Sequence, residues 1–230
     1  MLVVAALSRE LKPLIKRGNP HMTFLETGEG SANAARSLRS HLKQQRARAV
    51  LGIGFAGALS SALRVGDLII AREVRGSSSS AGSEELIGAA AQVHARGCHF
   101  GVSVTIDKIA GARDKRELAG GFGRDEMACV EMESSALALV CAENSIPFLA
   151  IRCITDELDQ DFPLDFDTCR DERGNVSLAL VAKAVLRRPM VLPSLLDLGR
   201  RSSLCAERLA GFVEQFGEVV FDSERGRRIV

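Results

Sequence analysis

The 230-residue chain contains no tryptophan and no tyrosine, and ten phenylalanines supply its only carbocyclic rings. So few rings leave little on which exposed bases could stack, which argues against a binder of single-stranded nucleic acid. Net charge is nearly absent too: 30 Lys+Arg against 29 Asp+Glu give +1, so no overall field draws the chain to a polyanion. The six cysteines, at 98, 129, 141, 153, 169 and 205, form no CxxC pair, and several lie in apolar runs. That is the usage of reduced thiols in a cytoplasmic protein, and the four histidines do not cluster with them. Neither a disulfide frame nor a metal site is expected. No apolar run reaches the roughly 18 residues that span a bilayer. Residues 1–7 are too short for a secretory signal and lack a basic lead, so they read as a first strand.

What is present is alternation. Strand-like segments fall at 2–7, 49–54, 67–74, 99–104, 127–132 and 148–154, separated by stretches of helical period. From about Ser31, the residues Ser31, Ala35, Leu38 and Leu42 recur on one helical face, with Arg36, Arg39, Lys43 and Arg46 on the solvated side. Residues 76–82, Gly-Ser-Ser-Ser-Ser-Ala-Gly, read as a flexible loop, and 157–174 as irregular. Helices follow at 177–188, 192–201 and 206–215. The expected architecture is a single-domain three-layer α/β/α fold with a mixed central sheet over residues 1–230, in which 175–230 form a helical C-terminal extension.

Two segments stand out chemically. Residues 130–136, Val-Glu-Met-Glu-Ser-Ser-Ala, and 151–156, Ile-Arg-Cys-Ile-Thr-Asp, each run from an apolar strand into acids. The first acids enter a helix-like run apolar on all sides. Buried carboxylates there must be paired, hydrogen-bonded or protonated, and in open α/β sheets ligands bind beyond the carboxyl ends of strands. Gly52-Ile53-Gly54-Phe55-Ala56-Gly57 satisfies GxGxxG, but the next strand follows too soon for a dinucleotide-binding crossover helix. It reads as a tight glycine loop whose amides approach a ligand, or as close packing with none. Gly28-Glu29-Gly30-Ser31 could offer helix N-terminal amides to an anion, or serve as a plain turn and cap.

Taken in order, these segments resemble the nucleoside phosphorylase/nucleosidase superfamily over roughly residues 2–160, the span covered by the motifs. Ala6-Leu7-Ser8-Arg9-Glu10 resembles its first strand with a terminal acid. Gly54-Phe55-Ala56-Gly57-Ala58-Leu59 and the strand after it resemble its glycine loop. Residues 130–136 resemble its ribose-binding motif and residues 152–156 its base-protonating motif. Within the superfamily the chain is most similar to the adenosine-type nucleosidases. That resemblance implies Glu10 as activator of water and Asp156 as proton donor to purine N7. It also implies Glu133 on the ribose 2′- and 3′-hydroxyls, Met132 beneath the sugar and Ile109 behind the purine, with Phe55, Ala56, Gly57, Glu131 and Thr155 as further substrate contacts. It implies no cofactor, a small-molecule nucleoside substrate and a homodimer.

The residue types suit the chemistry. Breaking an N-glycosidic bond builds positive charge on the sugar and negative charge on the base; an acid near N7 relieves the second and a carboxylate near the sugar favours the first. For Asp156 to be protonated at neutral pH its pKa must rise from about 3.9 to about 7, worth roughly 4 kcal/mol, which burial supplies. The plainer alternatives are a helix cap or an Arg152 salt bridge for Asp156, a first-turn acid for Glu133, and a surface acid for Glu10.

Two departures refine the expectation. Where the superfamily's phosphorylases hold phosphate, this chain has Gly52 and Phe55, which favours water as acceptor, although Arg36 or Arg72 could approach. A phosphorylase, or a catalytically idle nucleoside- or lipid-binding module, stays open beside the hydrolase. The segment from Asp171-Glu172-Arg173-Gly174 through Arg200 is similar to the hopanoid-associated branch. From residue 183 onward there are nine Lys/Arg against six Asp/Glu. Apolar side chains among arginines could form a peripheral contact with the inner membrane for a lipid-linked substrate, or be core helices with solvated arginines.

Overall fold

The computed structural model describes residues 1–77, 79–164, 166–169 and 176–226. Its elements are β1 (Leu2–Ala5), α1 (Ser8–Arg17), β2 (Thr23–Glu26), α2 (Ser31–Gln44), β3 (Val50–Ala58), β4 (Leu68–Arg75), β5 (Ser79–Ala81), α3 (Glu84–Ala90), β6 (Cys98–Thr105), α4 (Ala112–Ala119), β7 (Ala128–Glu131), α5 (Ser134–Glu143), β8 (Phe148–Asp156), α6 (Leu178–Arg187) and α7 (Leu192–Gly226). Short 3-10 turns lie at Asp167–Cys169 and Pro189–Val191.

The sheet is mixed. Strand β1 lies parallel to both β2 and β3, and β3 runs parallel to β8 along nearly its whole length. Strand β8 then pairs antiparallel with β4, β4 parallel with β6, and β6 parallel with β7. At its far end β3 returns to β7, antiparallel, through Gly57–Val130 and Ala58–Cys129. Five strands thus close on themselves, and the ends of three of them, β3, β7 and β8, line one cavity.

Alternation along the strands feeds two layers. On one face Val3, Leu51, Ile53 and Ile151 pack with Leu11 and Leu14 of α1, Leu86 and Ile87 of α3, and Leu209, Phe212 and Phe216 of α7. On the other, Leu2, Val4 and Val50 meet Leu38 of α2 and Leu137 and Val140 of α5. The three-layer architecture follows from this period-2 division.

Several expectations need correction. The glycine segment 52–57 is no loop: it lies inside strand β3. Residues 76–82 hold a short strand, because β5 forms a hairpin with β4 that pairs Glu73 with Ala81; Ser78 lies outside the described residues. The two helices at 192–201 and 206–215 are one, α7, since the serines between them break no helical hydrogen bond. Helix α5 is not apolar-buried all round, as Leu139 is 44% exposed. Glu10 is not at a strand end but in the first turn of α1. The segment at Asp171-Glu172-Arg173-Gly174 lies outside the described residues.

Candidate active site

Four acid side chains, Glu10, Glu131, Glu133 and Asp156, reach the site from strand ends and the turns after them. Strand β1 ends at Ala5 and the chain turns directly into α1, whose third residue is Glu10. Its Oε2 accepts the Leu7 N–H at 2.8 Å and its Oε1 accepts the Phe55 N–H at 3.0 Å. The first turn of a helix offers unpaired amides and a favourable dipole end, so an acid is held there without a cationic partner of its own. Glu10 is 3% exposed; burial raises its pKa, against those two amides and the nearby Arg152.

The second motif works by the same physics. Strand β7 delivers Glu131, whose Oε2 accepts the amides of Glu133 and Ser134 at 2.9 and 2.8 Å, closing the N-terminus of α5. The Thr105 hydroxyl binds Oε1. Arg152 Nη2 stands 2.5 Å from Glu131 Oε2, and its Nε and Nη2 donate to Ser134 Oγ. Burial opposes the guanidinium's charge, but Glu131, Glu133 and Glu10 around it more than offset this and raise its pKa. With both oxygens of Glu131 engaged, what it does locally is fix Glu133, the residue that caps α5. Glu133 Oε1 accepts the Gly30 N–H at 2.8 Å, and Ser31 Oγ donates to Met132 O. The acceptor that meets the start of α2 is therefore the chain's own Glu133 carboxyl. Burial, then the charge of Glu131, push the Glu133 carboxyl up to about 8.

Asp156 ends β8. Pairing with β3 slips by one residue there, from Ala56–Ile154 to Gly57–Asp156, leaving Thr155 as the extra residue. A bulge of this kind re-aims the side chain beside it. Thr155 Oγ1 donates to Asp156 Oδ1 at 2.9 Å, and Lys115 Nζ donates to Asp156 Oδ2 at 2.5 Å. Burial raises the Asp156 pKa, with Lys115 the main opposing influence. Arg152, the partner considered from the sequence, is committed to Glu131 and Ser134 instead. The two glycines of β3 nearest the acids are dictated by space. A Cβ at Gly54 would lie 2.2 Å from Arg152 Nη1, and one at Gly57 would lie 2.9 Å from Asp156 Oδ2.

All ten residues singled out from the sequence line one cavity of about 780 Å³. Glu10, Glu131, Glu133 and Asp156 bring the acid side chains, while Phe55, Ala56, Gly57, Ile109, Met132 and Thr155 complete that part of the wall. The C-terminal third adds an apolar side through Phe162, Phe166, Val181, Leu195 and Leu198. Of the cations on the cavity, Arg9 stacks over the Phe55 ring at 5.6 Å and Lys108 pairs with Asp114 at 2.7 Å; Lys12 also lines it. Arg36 and Arg72 do not line it, and Arg72 lies over Phe100 at 4.8 Å. Among the described residues no group of three or more His, Cys, Asp and Glu is placed to hold a metal ion.

Sequence reasoning missed Thr105, the positioning role of Arg152, and above all Lys115. Lys115 sits in the strongly charged run Ala112–Ala119, where nothing distinguishes it from its solvated neighbours except its three-residue spacing from the buried Ala112. A buried cation in such a helix becomes visible only when the partner acid is located.

A family model described as the phosphorylase superfamily matches residues 14–187. The 5′-methylthioadenosine/S-adenosylhomocysteine nucleosidase of Exiguobacterium sp. is 27% identical over 194 residues, covering 74% of this chain and 82% of the relative. That of Lysinibacillus sphaericus is 29% identical over 185 residues, covering 71% and 80%. Solved structures share the fold. One nucleosidase from Borrelia burgdorferi B31, bound to adenine, superposes with a TM-score of 0.72 at 16% identity over 95% of this chain and 99% of that one. Another from S. pneumoniae, bound to a transition-state inhibitor, gives 0.72 at 17% identity over 95% and 98%. With the family model spanning most of the sequence, and a mixed sheet with acids at its strand ends, the chain belongs to the phosphorylase superfamily.

Proposed function

We propose that this chain is an N-ribosyl hydrolase that releases adenine from a 5′-substituted adenosine, using water as the acceptor. One observation carries the reading: two buried carboxyl groups, Glu10 from the first strand–helix junction and Asp156 from the last strand, line the same cavity with Glu133. The relatives named methylthioadenosine/adenosylhomocysteine nucleosidases support the substrate class. In the proposed mechanism Asp156 protonates purine N7 as the C1′–N9 bond breaks, and Glu10 accepts a proton from the attacking water. Glu133 holds the ribose hydroxyls, with Met132 beneath the sugar and Ile109 behind the base. Glu131 and Arg152 fix this group from behind, so little reorganisation accompanies the reaction.

The 5′ substituent is proposed to be bulky and apolar, an adenosylhopane-type lipid being one candidate. About 780 Å³ lies toward the large end of the roughly 300–1,000 Å³ typical of small-molecule sites, and the side built by α6 and α7 is hydrocarbon. Beyond it Leu186 and Met190 are 84% and 88% exposed beside Arg187 and Arg188. That pairing of apolar and cationic side chains suits peripheral contact with an anionic inner-membrane surface. Among the described residues no helix is long and apolar enough to cross a membrane. A cytoplasmic homodimer is the proposed working form.

The test is an adenine-release assay on methylthioadenosine, adenosylhomocysteine and adenosylhopane, each with and without phosphate. Release independent of phosphate, fastest with the lipid-linked substrate, is expected. Release that requires phosphate would assign the chain to the phosphorylases, and binding without release would make it a carrier.

A further inference from the structure

The mechanism above leaves one buried cation without a task. Lys115 of α4 has no solvent exposure and is among the largest wholly buried side chains described. Its Nζ donates to Asp156 Oδ2 at 2.5 Å and to the Glu157 carbonyl at 2.6 Å. Helix α4 is pinned in register for this contact. Ala112 N–H donates to Asp161 Oδ1 at 3.1 Å, and Arg116 pairs with Asp159 at 3.0 Å. On the opposite side the β3 backbone presses on the pair, since a Cβ at Gly57 would lie 3.0 Å from Lys115 Cδ as well as against Asp156. Other groups facing the pair are Arg201 of α7, itself bound to Asp197 and Gln160, and the Cys205 thiol of α7.

A purely structural account fits poorly. Burying an ion pair gains little over a well-packed apolar pair, and a cation at 2.5 Å favours the ionised form of an acid that has to deliver a proton. The two facts reconcile if the proton belongs to the pair. The forms Lys–NH3⁺/Asp–COO⁻ and Lys–NH2/Asp–COOH hold the same number of protons and the same net charge, and a dry surrounding penalises the charge-separated one. Removing that proton altogether strands a buried carboxylate beside a neutral amine.

Resting on the hydrolase reading, we infer that Lys115 is the proton reservoir for the leaving base and supplies it through Asp156. One N–H of the Lys115 ammonium breaks and the Asp156 O–H forms. As the C1′–N9 bond breaks, its electron pair enters the purine; the Asp156 O–H breaks and N7–H forms, leaving a Lys115 amine beside the Asp156 carboxylate. Water adds to C1′ and gives a proton to Glu10; solvent carries that proton from Glu10 back to Lys115. The sum is nucleoside plus water to adenine plus free sugar. Lys115 touches no substrate and is a positioning residue.

The test is the pH profile of adenine release from methylthioadenosine by wild type, K115M and K115R. K115M leaves Asp156 to titrate alone, so activity near pH 5 is expected within about tenfold of wild type, while its alkaline limb moves down by at least about one pH unit. K115R keeps the charge but holds its proton above pH ~12, so release at neutral pH is expected to fall about 100-fold or more. A structural role predicts the reverse, a tolerated K115R and a K115M lowered equally at every pH, and either result overturns the inference. Should K115R not fold, the K115M limb decides alone. The Asp156 carboxyl, followed by carbon-13 NMR without substrate, is expected to titrate at higher pH in K115M than in wild type; an unchanged titration also overturns the inference. That measurement needs no turnover, so a wild type that releases no adenine would sink the hydrolase reading while the couple is still judged on its own.

Discussion

At the scale of single residues the site runs on carboxyl groups whose surroundings set their protonation. Glu133, pushed to about 8 by burial and then by Glu131, keeps its proton when folded at pH values where the unfolded chain has lost it. The unfolded state therefore binds fewer protons between pH ~4.5 and ~8, and stability falls as pH rises through that window, by up to about 1.4 kcal/mol per pH unit. E133Q keeps an acceptor for the Gly30 amide and removes the titration. Denaturant midpoints of this variant between pH 5 and 8 should be flatter than those of wild type; an identical slope would mean Glu133 is ionised throughout. Glu10 carries a raised pKa from burial as well, and in its proposed role as base it must lose its proton to work. Activity should accordingly decline as pH falls through that raised value. E10Q and D156N should each lower adenine release by about 10² to 10⁴-fold with the fold intact, and a smaller loss in either would remove that residue from the proton transfers.

At the scale of elements, the acids are where they are because strands end in helix N-termini. Glu10 is fixed by amides of Leu7 and Phe55, and Glu131 by those of Glu133 and Ser134. Strand β3 has to pass beside these groups, and Gly54 leaves the room taken by the Arg152 guanidinium. G54A should cost about 1–3 kcal/mol through overpacking and lower activity by displacing Arg152 and Glu10; a variant of wild-type stability and rate would show that Arg152 has slack to move. Much of this layer was legible in the sequence. Six strands show their apolar period, and the acid motifs fall at the ends of β7 and β8. What stayed hidden has physical causes. Helix α1 carries Pro13, which reads as a breaker although the helix tolerates it beyond its first turn. Strand β2 is only Thr23–Glu26, partly exposed along its length. The 52–57 glycines look like a loop because Gly is rare inside strands, and only the side chains packed over them explain their presence. Helix α7 reads as two helices, 192–201 and 206–215, because Ser202 and Ser203 lie between them, yet Ser203 bonds back to the Gly199 carbonyl and the helix continues.

At the scale of the whole molecule, α7 has two tasks. Its Leu209, Phe212 and Phe216 complete the core against β8 and α1, and its first turns put Leu195 and Leu198 on the cavity. The end of α6 and the turn after it present Leu186 and Met190 to solvent with arginines between them. Full-length protein should sediment with vesicles rich in anionic phospholipid and dissociate as salt rises, because attraction between exposed charges is screened within about 8–10 Å at physiological ionic strength. The double variant L186S/M190S should bind several-fold more weakly. Equal binding to neutral vesicles would remove the arginines from the contact, and no binding to anionic ones would separate this surface from membranes.

The central claim, that water attacks C1′ between two opposed carboxyl groups, is met most directly by letting the enzyme turn over methylthioadenosine in oxygen-18 water with millimolar phosphate present. The account predicts one labelled oxygen at C1 of the released sugar and no sugar phosphate. An unlabelled sugar 1-phosphate would contradict it.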